Sequence, residues 1–120
     1  MFAGRRSILV IEDDADVRES MRSMLEEQGY SVETSGNGDE AWVRLTRGTR
    51  PPSLIVLDLK LPGRSGWQIL DMLRQSTTMV NIPVVVVSGF IGFPPAGAMG
   101  WLKKPFKSNE LLAVVRTQLH

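Results

Sequence analysis

Short apolar runs alternate with amphipathic stretches along this chain, the pattern of a parallel sheet whose strands are joined by helices. Ile8-Leu9-Val10-Ile11 is the first run, and it stops abruptly at Glu12-Asp13-Asp14. A helix is predicted from Ala15 to about Gln28, with Val17, Met21, Met24 and Leu25 on one face. Asp14 is placed to cap it, and Gly29 sits where a helix end favours left-handed geometry. A short strand follows around Tyr30 to Thr34, and Gly36-Asn37-Gly38 turns into a second helix near Asp39 to Arg47, with Ala41, Trp42 and Leu45 inward. Arg50-Pro51-Pro52 breaks the chain before the third run, Leu54-Ile55-Val56-Leu57, which ends on Asp58. Pro62, Gly63 and Gly66 mark a loop. Trp67 to Arg74 reads as a third helix with Ile69, Leu70 and Leu73 apolar; Trp42 and Trp67 are expected to pack against the core from their helices.

The fourth run, Pro83 to Val87, is β-branched enough for a central buried strand and ends on Ser88. A short fifth strand at Trp101-Leu102 ends at Lys103-Lys104-Pro105, and the last helix, carrying Leu111, Leu112, Val115 and Leu119, is expected to open at Ser108 as its N-cap. Five strands and four helices account for the chain as a single domain, residues 1–120 with a core from about 7 to 119.

Composition narrows the chemistry. At 120 residues the chain suits one domain and can bury a real core without staples. With no cysteine, disulfide scaffolds, thiol nucleophiles and Cys-based metal sites are excluded. The one histidine is His120, so a histidine-rich metal site is excluded too. Fourteen Lys and Arg against thirteen Asp and Glu leave a charge of +1, which gives no global field for nucleic acid or membrane. No apolar run approaches the ~20 residues of a membrane span, and Met1 to Ser7 lacks the apolar stretch of a signal peptide, so a cytoplasmic location is expected.

Against that balanced total, the polar residues just past the apolar runs form a set: Glu12 and Asp13, then Asp58, Ser88 and Lys104. Open α/β sheets bind ligands beyond the carboxyl ends of their strands, where these residues would share one rim. Three crowded carboxylates repel one another unless a hard cation sits among them, and such oxygen donors suit Mg²⁺. A lysine and a hydroxyl nearby supply what phosphoryl oxygens need. The implied chemistry is attack by a carboxylate on a phosphoryl donor, giving an acyl phosphate. Taken singly, the acids could be a strand exit and helix cap, Ser88-Gly89 a turn, and Lys103-Lys104 a solvated pair.

The strings Ile8-Leu9-Val10-Ile11-Glu12-Asp13-Asp14, Leu57-Asp58-Leu59-Lys60-Leu61-Pro62-Gly63-Arg64-Ser65-Gly66, Val87-Ser88-Gly89 and Lys104-Pro105-Phe106 resemble, in order, the receiver domain of two-component response regulators. The resemblance runs from about Ser7 to Leu119. It implies a doubly wound, flavodoxin-like sheet of order 2-1-3-4-5, for which receivers are a standard example. It also implies that Asp58 is the phosphoacceptor, Asp13 a direct Mg²⁺ ligand, Glu12 an acid acting through a bound water, and Lys60 a ligand through its backbone carbonyl. Ser88 and Lys104 would hold the phosphoryl group. Lys104-Pro105 would be cis, and Trp101 would stand where the family places its switch aromatic, with Ser88 as the other switch residue. By its residue type alone, Trp101 fits a core or an interface position equally well.

One interval departs from the family. Between Ser88 and Lys104 the chain is roughly six residues short, somewhat under two helical turns. The segment Gly89 to Gly100 holds four glycines and two adjacent prolines. Interior Pro costs a helix ~3 kcal/mol and Gly ~1 kcal/mol, so a loop is expected there, with at most one turn near Ala96 to Met99. Phe90, Ile91 and Phe93 on it form a candidate partner patch, expected to order or reposition on phosphorylation or partner binding; the alternative is that the shortening uncouples the domain from switching.

The resemblance thus implies a phosphoacceptor that catalyses only its own phosphorylation and dephosphorylation. Its partners would be a sensor histidine kinase or histidine phosphotransfer protein and an output protein reached by direct contact, with no nucleic acid or membrane bound by this domain. The alternative is a receiver-like interaction module that works without phosphorylation. A haloacid-dehalogenase type of phosphohydrolase would want a second acid two positions after the nucleophile, where this chain has Lys60.

Overall fold

Branched aliphatic side chains are stiff and crowd a helix turn, but they pack well on a pleated surface, and runs with no polar member need cover on both faces. The computed structural model, which describes residues 6–48, 50–89 and 95–119, follows that logic. The elements in chain order are β1 (Ser7–Ile11), α1 (Ala15–Glu27), β2 (Ser31–Ser35), α2 (Gly38–Arg47), β3 (Leu54–Asp58), α3 (Gly66–Arg74), β4 (Val84–Ser88), β5 (Gly100–Lys103) and α4 (Ser108–Gln118). All strand pairs are parallel, in the order β2-β1-β3-β4-β5. This is the flavodoxin-like sheet expected from the sequence.

Alternation along each strand sorts the core into two layers. Leu9, Ile11, Ile55, Leu57, Val84 and Val86 meet Ala41 and Leu45 of α2 and Ile69, Leu70 and Leu73 of α3. On the opposite face Ile8, Val10, Leu54, Val56, Val85 and Val87 meet Met21 and Leu25 of α1 and Leu111 and Val115 of α4. Every residue of β3 and β4 is buried, so these strands are the rigid centre from which Asp58 and Ser88 emerge.

Helix starts follow local chemistry. Asp14 caps α1 by accepting from the amides of Asp16 and Val17, and Asn37 caps α2 through the Glu40 amide. Ser65 caps α3 in a reciprocal box with Gln68. Gly29 takes φ 93° just beyond α1, as its position predicted. Arg44 of α2 grips Glu33 of β2 through two hydrogen bonds of 2.6 and 2.7 Å, tying the helix to the sheet edge.

Between β4 and β5 the described residues contain no helix. Ala96 and Gly97 form a turn, closed by the Ala98 amide donating to the Pro95 carbonyl at 3.1 Å, and the Met99 amide donates to Val84 O at 2.9 Å to start β5. Phe90, Ile91 and Phe93 lie outside the described residues. No helix among the described residues is long and apolar enough to cross a membrane.

Three expectations are corrected. β2 begins and ends one residue later than predicted, at Ser31 and Ser35. Ser108 is the first helical residue of α4, not its cap; Lys107 holds the cap position, and the Glu110 carboxylate accepts from the Lys107 amide at 2.8 Å. Trp42 packs half-buried against the core, but Trp67 is 48% exposed. It lies roughly 115° around α3 from the centre of the face formed by Ile69, Leu70 and Leu73, so it cannot share their burial.

Candidate functional site

Four strand ends converge on one rim. Glu12 follows β1 directly, Asp58 closes β3, Ser88 closes β4, and Lys104 follows β5. Parallel registry brings these ends level, since Asp58 stands opposite Val87 and Ser88 opposite Lys103. The Lys104 amide donates to the Ser88 carbonyl at 2.8 Å, which extends the β4–β5 ladder past the last strand pair and aims the lysine side chain back over the rim. The Lys104–Pro105 peptide is cis, as the resemblance implied.

Lys104 Nζ is the hub. It donates to Asp58 Oδ2 at 3.0 Å and to Glu12 Oε1. The remaining oxygens are held by main chain: Glu12 Oε2 accepts from the Asp14 amide at 3.1 Å, and Asp58 Oδ1 from the Lys60 amide at 3.1 Å. Glu12 is fully buried and Asp58 is 5% exposed, whereas Asp13 is exposed at the mouth. Burying carboxylates is costly unless each is paired, and both buried acids here have a cation and an amide.

Burial pushes the Glu12 carboxyl up. Its hydrogen bonds to Lys104 and the Asp14 amide pull the other way, the Asp58 charge adds to the rise, and the balance stays above the ordinary glutamate value. Burial alone would lower the Lys104 ammonium. The hydrogen bonds and charges of Glu12 and Asp58 outweigh it, so Lys104 is raised and stays protonated.

One carboxylate oxygen from each of Glu12, Asp13 and Asp58 lies within 4.8 Å of the others, an oxygen-only donor set close enough to share one ion. Hard dications of the Mg²⁺ type take such donors, so these residues fit the ion predicted from the sequence. Lys60 lines the same cleft with Asp14, Val17, Leu61 and Gly89. Ser88 is buried at the end of β4 and lines the adjoining groove, which shares Lys60, Leu61 and Gly89 with this cleft. Trp101 pairs with Val86 on β5 and packs half-buried against the α2–α3 layer of the core, three residues before Lys104. The sequence-predicted acids, Lys60, Ser88 and Lys104 are therefore gathered at one place. Trp101 is set back from it on β5.

Two contributors were not legible as such. Gly66 reads in sequence as a loop marker, but a Cβ there would stand 2.3 Å from the Asp58 carbonyl and 2.5 Å from Leu59 Cα. The site needs glycine because α3 begins directly against the backbone of Asp58, and the Gly66 amide donates to Leu59 O at 2.9 Å. Ser35 contributes its carbonyl, which accepts from the Glu12 amide at 3.0 Å. Only its place at the end of the neighbouring strand points to that role.

The family model for the response regulator receiver domain matches residues 8–116. The response regulator MprA of Mycobacterium leprae is 38% identical over 118 residues, 93% of this chain and 50% of that protein. The phosphate regulon transcriptional regulatory protein PhoB of Rhizobium meliloti is 35% identical over 93% of this chain and 51% of its own length. The chain thus spans about half the length of these relatives. The response regulator TrrA of Thermotoga maritima, solved in complex with Mg(2+)-BeF, superposes with a TM-score of 0.83 at 26% identity, covering 95% of this chain and 99% of that one. With the predicted sheet order, the gathered strand-end residues and a family match across nearly all of its length, this chain belongs to the response regulator receiver domain family.

Proposed function

We propose that this domain is the phosphoacceptor of a two-component phosphorelay, with Asp58 taking a phosphoryl group from the phosphohistidine of a sensor histidine kinase or histidine phosphotransfer protein. The observation that carries the reading is one ammonium, Lys104 Nζ, bridging Asp58 and Glu12 beside a third acid on the same rim. The TrrA complex with Mg(2+)-BeF supports it, because the oxygen-only donors of this chain suit the same ion.

Asp13, Asp58 and the Lys60 carbonyl would hold Mg²⁺, with Glu12 acting through water, and the ion would supply positive charge against the phosphoryl oxygens. The protein's own groups do the rest. Lys60 N and Lys104 Nζ hold one oxygen each of Asp58, so the carboxylate is oriented before attack. The Asp58 carboxylate attacks phosphorus, the P–N bond to the donor imidazole breaks, and the bonding pair leaves with the imidazole, which takes up a proton. Lys104 and the Ser88 hydroxyl then pair with the transferred oxygens. The domain catalyses only this reaction and its own dephosphorylation. It reports its state through Ser88 and Trp101 to an output reached by protein contact.

Incubation with acetyl phosphate and Mg²⁺, read by intact mass, tests this. The expected result is a gain of one phosphoryl group that is lost in Asp58→Asn and in EDTA. No gain in the wild type would overturn the reading and leave a phosphorylation-independent interaction module.

A further inference from the structure

Asp13 is exposed at the mouth of the cleft, yet as a direct ligand it must present its carboxylate in one direction. The backbone sets where that side chain starts. Arg18, in the first two turns of α1, reaches back toward β1, and its Nη1 donates to the Glu12 carbonyl at 2.8 Å and to the Asp13 carbonyl at 3.3 Å. Those two carbonyls belong to the peptide planes on either side of the Asp13 Cα. Holding both planes fixes φ and ψ of Asp13, and hence the direction of its Cβ. Among the described residues both acceptors of Arg18 are main-chain oxygens, so the guanidinium spends its donors on geometry rather than on a carboxylate.

The neighbouring turn makes room for it. A Cβ at Gly36, just after β2, would stand 3.1 Å from Arg18 Nη1 and 3.7 Å from its Cζ. The lack of a side chain at Gly36 thus leaves room for the guanidinium between the end of β1 and the β2–α2 turn.

We infer that Arg18 is a positioning residue for the metal ligand Asp13, clamping the Glu12–Asp13–Asp14 backbone from behind the cleft. The inference rests on the Mg²⁺ reading above. It has an opposite sign to the simpler expectation from charge: removing a cation beside an acidic cluster should tighten Mg²⁺ binding, whereas removing a clamp should weaken it.

The test is titration of the intact domain with Mg²⁺ alone, following backbone amide NMR shifts at Asp13, Asp58 and Lys60, with the thermal midpoint in EDTA as the folding control. Arg18→Ala is expected to weaken Mg²⁺ binding about tenfold, the lower end of what outer-shell partners of metal ligands contribute. Arg18→Lys keeps the charge and N–H donors on a single nitrogen, without the planar fork, and should recover part of that loss. Gly36→Val leaves Arg18 in place but pushes on its guanidinium, and should weaken binding in the same direction; with Arg18→Lys it carries the test if Arg18→Ala does not fold. Affinity in the Arg18 variants that is unchanged within about twofold, or tighter, overturns the assignment while the metal reading stands. A wild type that takes up no Mg²⁺ overturns both.

Discussion

Replacing Lys104 by methionine keeps most of the apolar stem and removes the charge that Glu12 and Asp58 share. At an effective dielectric of 20, a pair of charges 3.0 Å apart, the separation of Lys104 Nζ and Asp58 Oδ2, is worth about 5.5 kcal/mol before desolvation. Breaking a buried pair by deleting one partner costs about 3–5 kcal/mol. The Lys104 side chain is 25% exposed, which weakens its interactions, and Glu12 can escape by taking up a proton. A loss of about 3 kcal/mol at pH 7 in metal-free buffer follows, or roughly 12 °C in the midpoint for a domain of this size. The pH dependence fixes the cause. Burial holds the Glu12 carboxyl above its ordinary value, and deleting the Lys104 hydrogen bond that opposes burial raises it further. A carboxyl raised in the folded state contributes stability below its unfolded pKa and loses it as pH rises through the folded one. The deficit of Lys104→Met against wild type is therefore largest at neutral pH and shrinks toward about pH 5. Urea denaturation midpoints at both pH values, in EDTA, measure it. A gap under about 1 kcal/mol at pH 7, or one that is the same at both pH values, would refute the shared-charge account.

Gly66→Ala places a methyl against the Asp58 and Leu59 backbone and should destabilise the domain by about 1–3 kcal/mol, with a parallel fall in acetyl-phosphate labelling of Asp58; thermal melts and intact mass check both. Ser65→Ala removes one half of the α3 capping box and should cost about 1 kcal/mol, with faster amide exchange confined to the first turn of α3. The Arg44 hydrogen bonds hold the Glu33 carboxyl below its ordinary value, so their contribution is present above the unfolded pKa and is lost as pH falls through the folded one. Glu33 is about half exposed, so the effect should stay under about 1 kcal/mol; Arg44→Ala should return the Glu33 titration, followed by side-chain NMR, to the ordinary range.

The sheet was readable because its strands are unbroken apolar runs and the acids that end them are abrupt. Leu54 to Leu57 cannot be covered on both faces except at the centre of a layered fold, and Asp58 directly after it has no packing role there. The glycines and prolines after Ser88 likewise foretold a crossover with no helix among the described residues. What sequence could not supply was rotation and reach. Trp67 is apolar and sits inside a helix, but its outward angle depends on which neighbours face the core. Ser108 is a good cap by type, yet the chain starts its helix one residue earlier around Lys107 and Glu110. Arg18 is an ordinary arginine of an amphipathic helix until folding brings its side chain beneath the Glu12 and Asp13 carbonyls. Gly66 shows its necessity only once α3 is seen to start against Asp58.

The sheet ends in β2 on one side and β5 on the other, and both margins resist lengthening. Unpaired strand margins invite a strand from another molecule, and charges, prolines and short length discourage it. β2 carries the charged Glu33, locked to Arg44 of α2. β5 is four residues long, runs into Lys103-Lys104-Pro105, and has the Met99 carbonyl before it occupied by Gln118 Nε2 at 3.1 Å. A binding partner therefore gains little by recruiting backbone from this domain and must recognise side chains instead. On the phosphoacceptor reading proposed above, side chains on the loop rim are also what an added phosphoryl group would rearrange, so margins guarded against aggregation would confine recognition to the surface that carries the message.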